Sequence, residues 1–271
     1  MLFAISIANW FDVSKLNYSS DRETFFHVDS FGKIIPNMDN IFVVVEPNAI
    51  YMNMFNFDIR AYILKNWKKY TKVLTYDEEI LKSCPNAVKY VYGTTWIKPH
   101  EYENVDTSKK EFQISSITGV KDVTLGHKMR LIMYFQQNKI PIPYVCFRSH
   151  EGNLPIVNTN PILNESKVPL FEMFQFSFVI ENSRQTNYFT EKLMDCLLMK
   201  TIPVYYGCPN IHEYFDTHGW IILENENVEE AFQKVSELTP QWYSEYKDVI
   251  DSNYEKAKSY TDIYRNISYV L

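Results

Sequence analysis

Glycine is scarce in this chain, with only seven among 271 residues. They are too few and too scattered to form a Gly-rich phosphate loop or the Gly-x-Gly-x-x-Gly fingerprint of dinucleotide-binding proteins. A phosphate group bound by this protein would therefore have to be held by side chains and by the N-terminus of a helix, where free backbone N–H groups attract anions.

Positive charge is also in deficit, since 27 Lys and Arg residues are set against 33 Asp and Glu residues, for a net charge of −6. This balance argues against a nucleic-acid-binding protein. The four cysteines, Cys84, Cys146, Cys196 and Cys208, lie far apart in the sequence and lack the spacing of a metal site. We expect them to be reduced thiols in the core.

Long apolar runs are missing as well. The N-terminal run MLFAISIANWFD is too short to span a membrane, and it has neither a basic flank nor a small-residue cleavage site. The sequence therefore predicts no signal peptide, no membrane anchor and a soluble protein in the cytoplasm.

Short apolar runs alternate with helix-like segments along the whole chain, which predicts an α/β protein. The length suits two domains, residues 1–105 and 106–271, joined by the polar stretch 99–110, and we allow for the last helix crossing back to the first domain. A polar stretch with His27 and Asp29 lies between the first two predicted strands. The predicted strands cover residues 3–8, 41–45, 72–75, 89–93, 112–116, 142–147, 176–180, 202–206 and 220–223.

The most informative stretch is residues 174–207, which predicts a strand, a polar loop, a helix and a second strand. The first strand ends in Glu181-Asn182, and the helix begins at Thr190-Glu191-Lys192. In a first helical turn a lysine adds a fixed positive charge to the attraction of the helix end for an anion, while a carboxylate beside it suits a sugar hydroxyl. A Glu-Lys pair at this place is also ordinary helix-capping chemistry, so the pair alone does not decide the matter.

The longer string ENSRQTNYFTEKLMDCLLMKTIPVYYGCPNIHEYF resembles the donor-binding segment of the α-1,3-fucosyltransferases. In that family a strand ending in Glu-Asn is followed by Tyr-x-Thr-Glu-Lys, a helix and Pro-Val-Tyr-x-Gly. The resemblance implies a GT-B-like fold of two Rossmann-like domains with a cleft between them. It also implies an inverting transfer of a fucose-like sugar from a GDP- or UDP-linked donor to a glycan hydroxyl.

The resemblance implies roles for individual residues of the motif. Tyr188 would hydrogen-bond a phosphate and Glu191 would hold the ribose. Lys192 would meet the charge of the diphosphate from the helix that Thr190 opens. Glu181 and Asn182 would contact the sugar or the nearby backbone.

Two further residues match the family outside this segment. Arg130 corresponds to an arginine early in the helix after the first strand of the second domain, where its planar charged group suits a diphosphate. A solvated helix face explains Arg130 equally well, and Lys128 is then the alternative cation. Glu46 follows a buried strand, as the family's catalytic base does, although Pro47 separates it from Asn48 and a Glu-Pro pair also commonly opens a loop.

The chain contains no Asp-x-Asp pair, the usual metal-binding element of glycosyltransferases that hold the diphosphate through a divalent ion. We therefore expect cationic side chains in place of a metal and no cofactor besides the donor. Two alternatives stay open: the same scaffold with another donor, as in xylosyl, rhamnosyl or mannosyl transfer, and a non-catalytic glycan-binding module that uses the many aromatic residues. The sequence leaves the acceptor and the oligomeric state open.

Overall fold

The computed structural model describes residues 1–6, 10–149, 154, 155, 157, 160–163 and 165–271, and the contacts among them define two compact units. Unit 1 contains Met1–Gly93, Thr186–Tyr188 and Asp262–Leu271. Unit 2 contains Thr94–Gln185 and Phe189–Thr261. Both units are α/β, as the alternation of short strands and helices predicts.

Unit 1 is built on a five-stranded parallel sheet in which the strands follow one another in sequence order, β1-β2-β3-β4-β5. Its core consists of fully buried aliphatic and aromatic side chains such as Phe26, Phe42 and Ile63. The last helix of the chain packs on this core through Ile263 and Ile267. The elements are β1 (Leu2–Ser6), β2 (Thr24–Val28), β3 (Asp39–Val43), α1 (Asn48–Phe55), α2 (Ile59–Asn66), β4 (Lys72–Thr75), α3 (Glu78–Ser83), β5 (Ala87–Lys89) and α10 (Ile263–Val270).

Unit 2 is built on a six-stranded parallel sheet in the order β11-β10-β9-β6-β7-β8. The first strand, β6, has β7 on one side and β9 on the other, so the direction of winding reverses between β6 and β9. In open α/β sheets such a switch point is where ligands bind. The elements are α4 (Pro99–Tyr102), β6 (Glu111–Thr118), α5 (Leu125–Phe135), β7 (Tyr144–Ser149), β8 (Ile162–Leu163), β9 (Phe174–Ile180), α6 (Glu191–Leu198), β10 (Ile202–Tyr206), β11 (Ile221–Ile222), α7 (Val228–Val235), α8 (Trp242–Glu245) and α9 (Lys247–Ala257).

The stretch between the first two predicted strands is not simply a polar connection, because strand β2 lies there. Its sequence, TFFHV, contains a histidine, yet His27 is fully buried and its Nε2 is hydrogen-bonded to Asn40 Oδ1 at 2.9 Å. A polar side chain that finds a partner on the neighbouring strand can occupy a core position. The strand predicted at 3–8 runs from Leu2 to Ser6, and residues 7 and 8 lie outside the described part of the chain.

The stretch 99–110 is not a structureless linker. It contains α4 and a 3₁₀ turn at Thr107–Lys109, and it belongs to unit 2, so the expected boundary at residue 105 lies inside that unit. Tyr254 donates a hydrogen bond to the Tyr102 carbonyl at 3.0 Å, and buried Lys110 donates to the Phe171 carbonyl at 2.7 Å. The polar composition of this stretch reflects specific bonds to the unit rather than free solvation.

All four cysteines are buried and none is in a disulfide, as predicted. Among the described residues no helix combines the length and apolar character needed to cross a bilayer.

Candidate functional site

A cavity of about 440 Å³ opens at the switch point of unit 2. Its walls come from the ends of β6 and β9, from α5 and from the first turns of α6, and all of its lining residues belong to unit 2. The volume is that of a typical small-molecule site. Arg130, Asn182, Glu191 and Lys192, four of the residues that the sequence nominates, line it.

Glu181 does not line this cavity, but its hydrogen bonds hold the start of α6 in place. Its side chain is fully buried, and it accepts hydrogen bonds from the Thr190 backbone N–H at 2.8 Å and from the Thr190 hydroxyl at 2.7 Å. Thr190 is the N-cap of α6, since its hydroxyl oxygen accepts from the Lys192 backbone N–H at 3.4 Å. Glu181, directly after β9, therefore fixes where α6 begins.

Lys192, in the first turn of α6, places a positive charge at the cavity wall. Its Nζ lies 2.9 Å from Glu191 Oε1 and 3.8 Å from Glu181 Oε2, and the side chain is 24% exposed. Burial disfavours its charge, but the two carboxylates outweigh burial and raise the pKa of Lys192. Burial likewise opposes ionisation of Glu191, yet Lys192 outweighs it and lowers the pKa of that carboxyl. Both groups are therefore charged at neutral pH.

Arg130 is fixed against the end of β9. Its guanidinium donates to the Ile180 carbonyl and, at 3.0 Å, to Asn182 Oδ1. These bonds tie α5 to the end of the neighbouring strand and hold the guanidinium at the cavity wall. Arg130 is partly buried and lines the cavity, whereas Lys128 is exposed and is not among the lining residues. Binding of a diphosphate by Arg130 stays a prediction.

The approach of α5 to β9 requires a glycine. Gly126 lies in the first turn of α5, and its backbone N–H donates to the Asn182 carbonyl at 3.2 Å. A Cβ built on Gly126 would lie 1.8 Å from the Glu181 carbonyl oxygen, far inside van der Waals contact. No residue with a side chain therefore fits here. One of the few glycines in the chain thus brings the start of α5, with Arg130 one turn further on, against the Glu181-Asn182 backbone.

Unit 1 carries a carboxylate at the carboxyl end of its own sheet. Glu46 follows β3, and its backbone N–H donates to Asp29 Oδ2 at 2.8 Å, while Val45 N–H donates to Asp29 Oδ1 at 2.8 Å. Tyr76 donates to the Val45 carbonyl at 3.0 Å. Asp29 is buried, and this burial raises its pKa to about 7 against the two backbone hydrogen bonds. The chain leading into Glu46 is thus held by a buried polar network.

The family model described as "Glycosyltransferase family 10 (fucosyltransferase) C-term" matches residues 146–262, which include β9 and α6 of the cavity wall but not β6 or α5. The chain resembles the family 10 fucosyltransferases. It is 24% identical over 123 residues to the α-(1,3)-fucosyltransferase FucT of Helicobacter pylori, a match covering 44% of this chain and 25% of that protein. It is 36% identical over 80 residues to the GDP-fucose protein O-fucosyltransferase 3 of Danio rerio, covering 29% of this chain and 18% of that protein.

Solved glycosyltransferase structures share the fold over nearly the whole chain. An α1,3-fucosyltransferase crystallised with GDP superimposes with a TM-score of 0.57 at 16% identity, covering 99% of this chain and 86% of that one. A point mutant of Staphylococcus aureus TarM in complex with UDP gives 0.58 at 15% identity, covering 90% and 54%. Anabaena HepE with UDP-glucose gives 0.60 at 9% identity, covering 91% and 76%. The fold is therefore that of the GT-B glycosyltransferases.

Tyr188, a motif residue that resembles the fucosyltransferases, groups with unit 1 rather than with unit 2. It belongs to unit 1, it is buried, and its ring packs on Tyr76 with 5.0 Å between centroids. It is not among the residues that line the cavity of unit 2. The phosphate contact expected of Tyr188 stays a prediction, while its observed contact is with the core of unit 1.

Sequence reasoning missed a buried carboxylate in the cavity wall. Asp195 lies one turn after Glu191 on α6, and its Oδ1 accepts from the Thr95 hydroxyl at 2.7 Å and from the Trp96 backbone N–H at 2.8 Å. Burial raises the pKa of Asp195 to about 7. This carboxyl ties the start of unit 2 to α6 and holds Trp96, whose side chain is largely exposed, at the cavity. The spacing of four from Glu191 is the only signal that the sequence offered.

Sequence reasoning also missed His127. A threonine followed three residues later by a side chain that can bond back to it is the pattern of a capping box, and Thr124 and His127 form one at the start of α5. The pattern is readable in the sequence, but histidine is not the residue by which it is usually recognised. His127 lines the cavity beside Arg130 and Lys192.

Proposed function

We propose that the chain is an inverting glycosyltransferase that moves a fucose-like sugar from a nucleoside diphosphate sugar to a hydroxyl of a glycan. The observation that carries the proposal is the cavity at the switch point of unit 2, where a helix N-terminus, Arg130 and Lys192 converge beside the carboxylate of Glu191. The diphosphate of a nucleotide sugar is recognised by positive charge, and its ribose hydroxyls are recognised by a hydrogen-bond acceptor. The cavity offers both. The resemblance to the fucosyltransferases supports the same assignment.

In this proposal the donor binds with its diphosphate at Arg130, Lys192 and the start of α6. Glu191 accepts hydrogen bonds from the ribose, and Asn182, already oriented by Arg130, contacts the sugar. Glu181 and Thr190 do not line the cavity, so their part is to hold the helix end and Lys192 in place.

The transfer itself is a single displacement at the anomeric carbon. We propose that Glu46 accepts the proton of the acceptor hydroxyl as its oxygen bonds to that carbon. The bond from the anomeric carbon to the diphosphate breaks, and the nucleoside diphosphate leaves with the negative charge. Arg130, Lys192 and the backbone N–H groups of α6 stabilise that charge, which is larger in the transition state than in the bound donor.

Two other functions remain as alternatives. The cationic residues of the cavity recognise the diphosphate and the ribose, and they do not select the sugar. Xylosyl, rhamnosyl or mannosyl transfer would therefore use the same residues. A glycan-binding module without catalysis is the second, and the exposed Trp96 at the cavity favours it, because an indole face stacks on sugar rings. Release of nucleoside diphosphate separates this module from any transferase.

A panel of donors tests the proposed function. We expect GDP-fucose or another GDP- or UDP-linked sugar to raise the melting temperature, because a ligand that binds only the native state stabilises it. The same donor should release its nucleoside diphosphate when a glycan acceptor is added. Stabilisation by glycans alone, with no effect of any nucleotide sugar, would establish the binding module instead.

Transfer is expected to persist in EDTA. The chain lacks an Asp-x-Asp pair, and Arg130 and Lys192 supply positive charge at the cavity. Within the described ranges no three His, Cys, Asp or Glu side chains are grouped so that they could hold a metal ion. The measurement is the rate of diphosphate release in EDTA and after addition of Mn²⁺ or Mg²⁺. A rate that collapses in EDTA and returns with either ion would refute the metal-free mechanism.

A further inference from the structure

His127 is a buried histidine in the wall of the cavity of unit 2. It is 9% exposed, so nine-tenths of the residue is enclosed by protein, and the remainder borders the cavity. It lies in the first turn of α5, three residues after Thr124 and three before Arg130. Neither the motif of residues 174–207 nor the roles proposed above use it.

The hydrogen bonds of His127 fix its tautomer. The Thr124 backbone N–H points at Nδ1 from 3.3 Å, and the Thr124 hydroxyl lies 2.7 Å from the same atom. A backbone N–H can only donate, so Nδ1 must be the acceptor and carries no proton. The neutral ring therefore has its proton on Nε2.

The ring is also held neutral by its surroundings. Burial, and then the charges of Arg130, Lys192 and Lys121, lower the pKa of His127 to about 3. A further positive charge beside these three cations is unfavourable, whereas a neutral N–H donor is not. At neutral pH the residue thus presents one N–H group and no charge.

No acceptor for this N–H is found among the described residues, since both hydrogen bonds of the ring go to Nδ1. Nε2 is not one of the fully enclosed polar atoms of the described residues, so this N–H is open to the cavity, where an acceptor supplied by a ligand can reach it. Arg130 and Lys192 lie in the same wall, and Lys121 and Lys167 also line the cavity, so its positive charge favours an anionic ligand. An oxygen of that anion is the acceptor that fits.

We infer that His127 donates a hydrogen bond through Nε2 to a phosphate oxygen of the bound nucleoside diphosphate, as a neutral donor beside two cations. The inference rests on the proposed function, since it assumes that the cavity holds a nucleotide. His127 orients the diphosphate while Arg130 and Lys192 neutralise it, and its bond strengthens as negative charge grows on the leaving group. His127 is then a donor-binding residue as well as part of a helix cap.

Two isosteric variants separate these two roles. His127→Asn places an amide oxygen near the position of Nδ1, so it keeps the acceptor for Thr124 but has no donor that reaches the position of Nε2. His127→Gln extends an amide N–H to the position of Nε2 and loses the acceptor for Thr124. The Asn variant therefore tests the contact with the ligand, and the Gln variant tests the cap.

We expect His127→Asn to keep the wild-type melting temperature and to bind GDP and UDP roughly 10- to 100-fold more weakly, the range for one hydrogen bond to a charged group. His127→Gln should melt at a lower temperature and keep most of the affinity. Calorimetric titration with GDP and UDP and thermal melting give both quantities.

Affinity in His127→Asn equal to that of the wild type, while Lys192→Met loses it, overturns the inference and leaves the proposed function intact. Equal loss of affinity in the Asn and Gln variants, both folded, also overturns it, because the donor at the Nε2 position would then not matter. If the wild type binds neither GDP nor UDP, the proposed function fails and the inference fails with it.

Discussion

Replacing Glu46 by Gln is expected to lower the rate of sugar transfer by roughly 10²–10⁴-fold, the usual contribution of a general base. Gln keeps the shape of the side chain and most of its hydrogen bonding, but it cannot take the proton of the acceptor hydroxyl. The measurement is kcat at saturating donor and acceptor. Affinity for the nucleoside diphosphate should stay unchanged, because the residues assigned to the diphosphate lie in unit 2, whereas Glu46 lies in unit 1.

The structure provides a control for this variant. The backbone leading into Glu46 is held by Asp29, which accepts from Val45 and Glu46 N–H, and neither bond involves the Glu46 side chain. Because Gln also keeps the shape of the Glu side chain and most of its hydrogen bonding, the Gln variant should melt close to the wild type. Asp29→Asn is the comparison, since an amide accepts at only one of its two atoms and leaves one of those N–H groups unpaired, so this variant should lose stability as well as rate.

Near-normal turnover in Glu46→Gln would mean that another carboxylate is the base. The sequence offers Asp29, Asp58 and Glu151 as the next candidates. Asp29 is buried and holds two backbone N–H groups, and Asp58 caps α2 by accepting from Ala61 N–H at 2.9 Å. Both are therefore occupied with structural bonds, while Glu151 lies outside the described residues. Glu151 would become the first residue to test.

Local pattern was enough to predict most elements near the site. The strands at 72–75 and 202–206 coincide with β4 and β10, and the helix that begins at Thr190-Glu191-Lys192 is α6. These segments combine apolar runs with a clear helix cap, so neighbours in sequence decide their structure. β2 was missed because the partner that stabilises His27 is Asn40, on the next strand, and a pairing between strands leaves no trace in a local window.

At the site, too, some features follow from the neighbouring residues in sequence, while others depend on contacts between distant segments. The chemistry of Glu191 and Lys192 follows from their place in a first helical turn, and the cavity contains both. The sequence could not reveal that Glu181 bonds to Thr190 or that Arg130 bonds to the end of β9, because these contacts join segments brought together by the order of the strands. The placement of Tyr188 in unit 1 is likewise a matter of how the polar loop runs, not of its composition.

Lys192→Met should have the largest effect on the donor site, in both stability and binding. Met keeps much of the length of the side chain without its charge, so Glu181, fully buried, and Glu191, 16% exposed, lose the cation between them. Removing one partner of a buried ion pair costs about 3–5 kcal/mol, and the opening of the cavity to water places this case at the low end. Binding of GDP and UDP should weaken by more than tenfold, since a hydrogen bond to a charged group contributes about 1.5–3 kcal/mol.

The loss of stability in Lys192→Met should become larger as the pH rises. Burial raises the pKa of Glu181 above its value in the unfolded chain, and Lys192 opposes that rise. Without Lys192 the pKa of Glu181 rises further, and a group with a raised native pKa stabilises the fold at low pH and loses that contribution as pH rises through the native value. The difference in melting temperature between the variant and the wild type should therefore be larger at pH 8 than at pH 5.

A second substitution separates the stability effect from the binding effect. In Glu181→Gln/Lys192→Met the buried carboxylate is gone as well, so part of the stability should return, while GDP and UDP binding should stay weak because the cation is still absent. Lys128→Met is the matched control, since Lys128 is an exposed lysine on α5 that does not line the cavity. Wild-type affinity for both nucleotides in Lys192→Met would show that the diphosphate is bound elsewhere, whatever happens to the melting temperature.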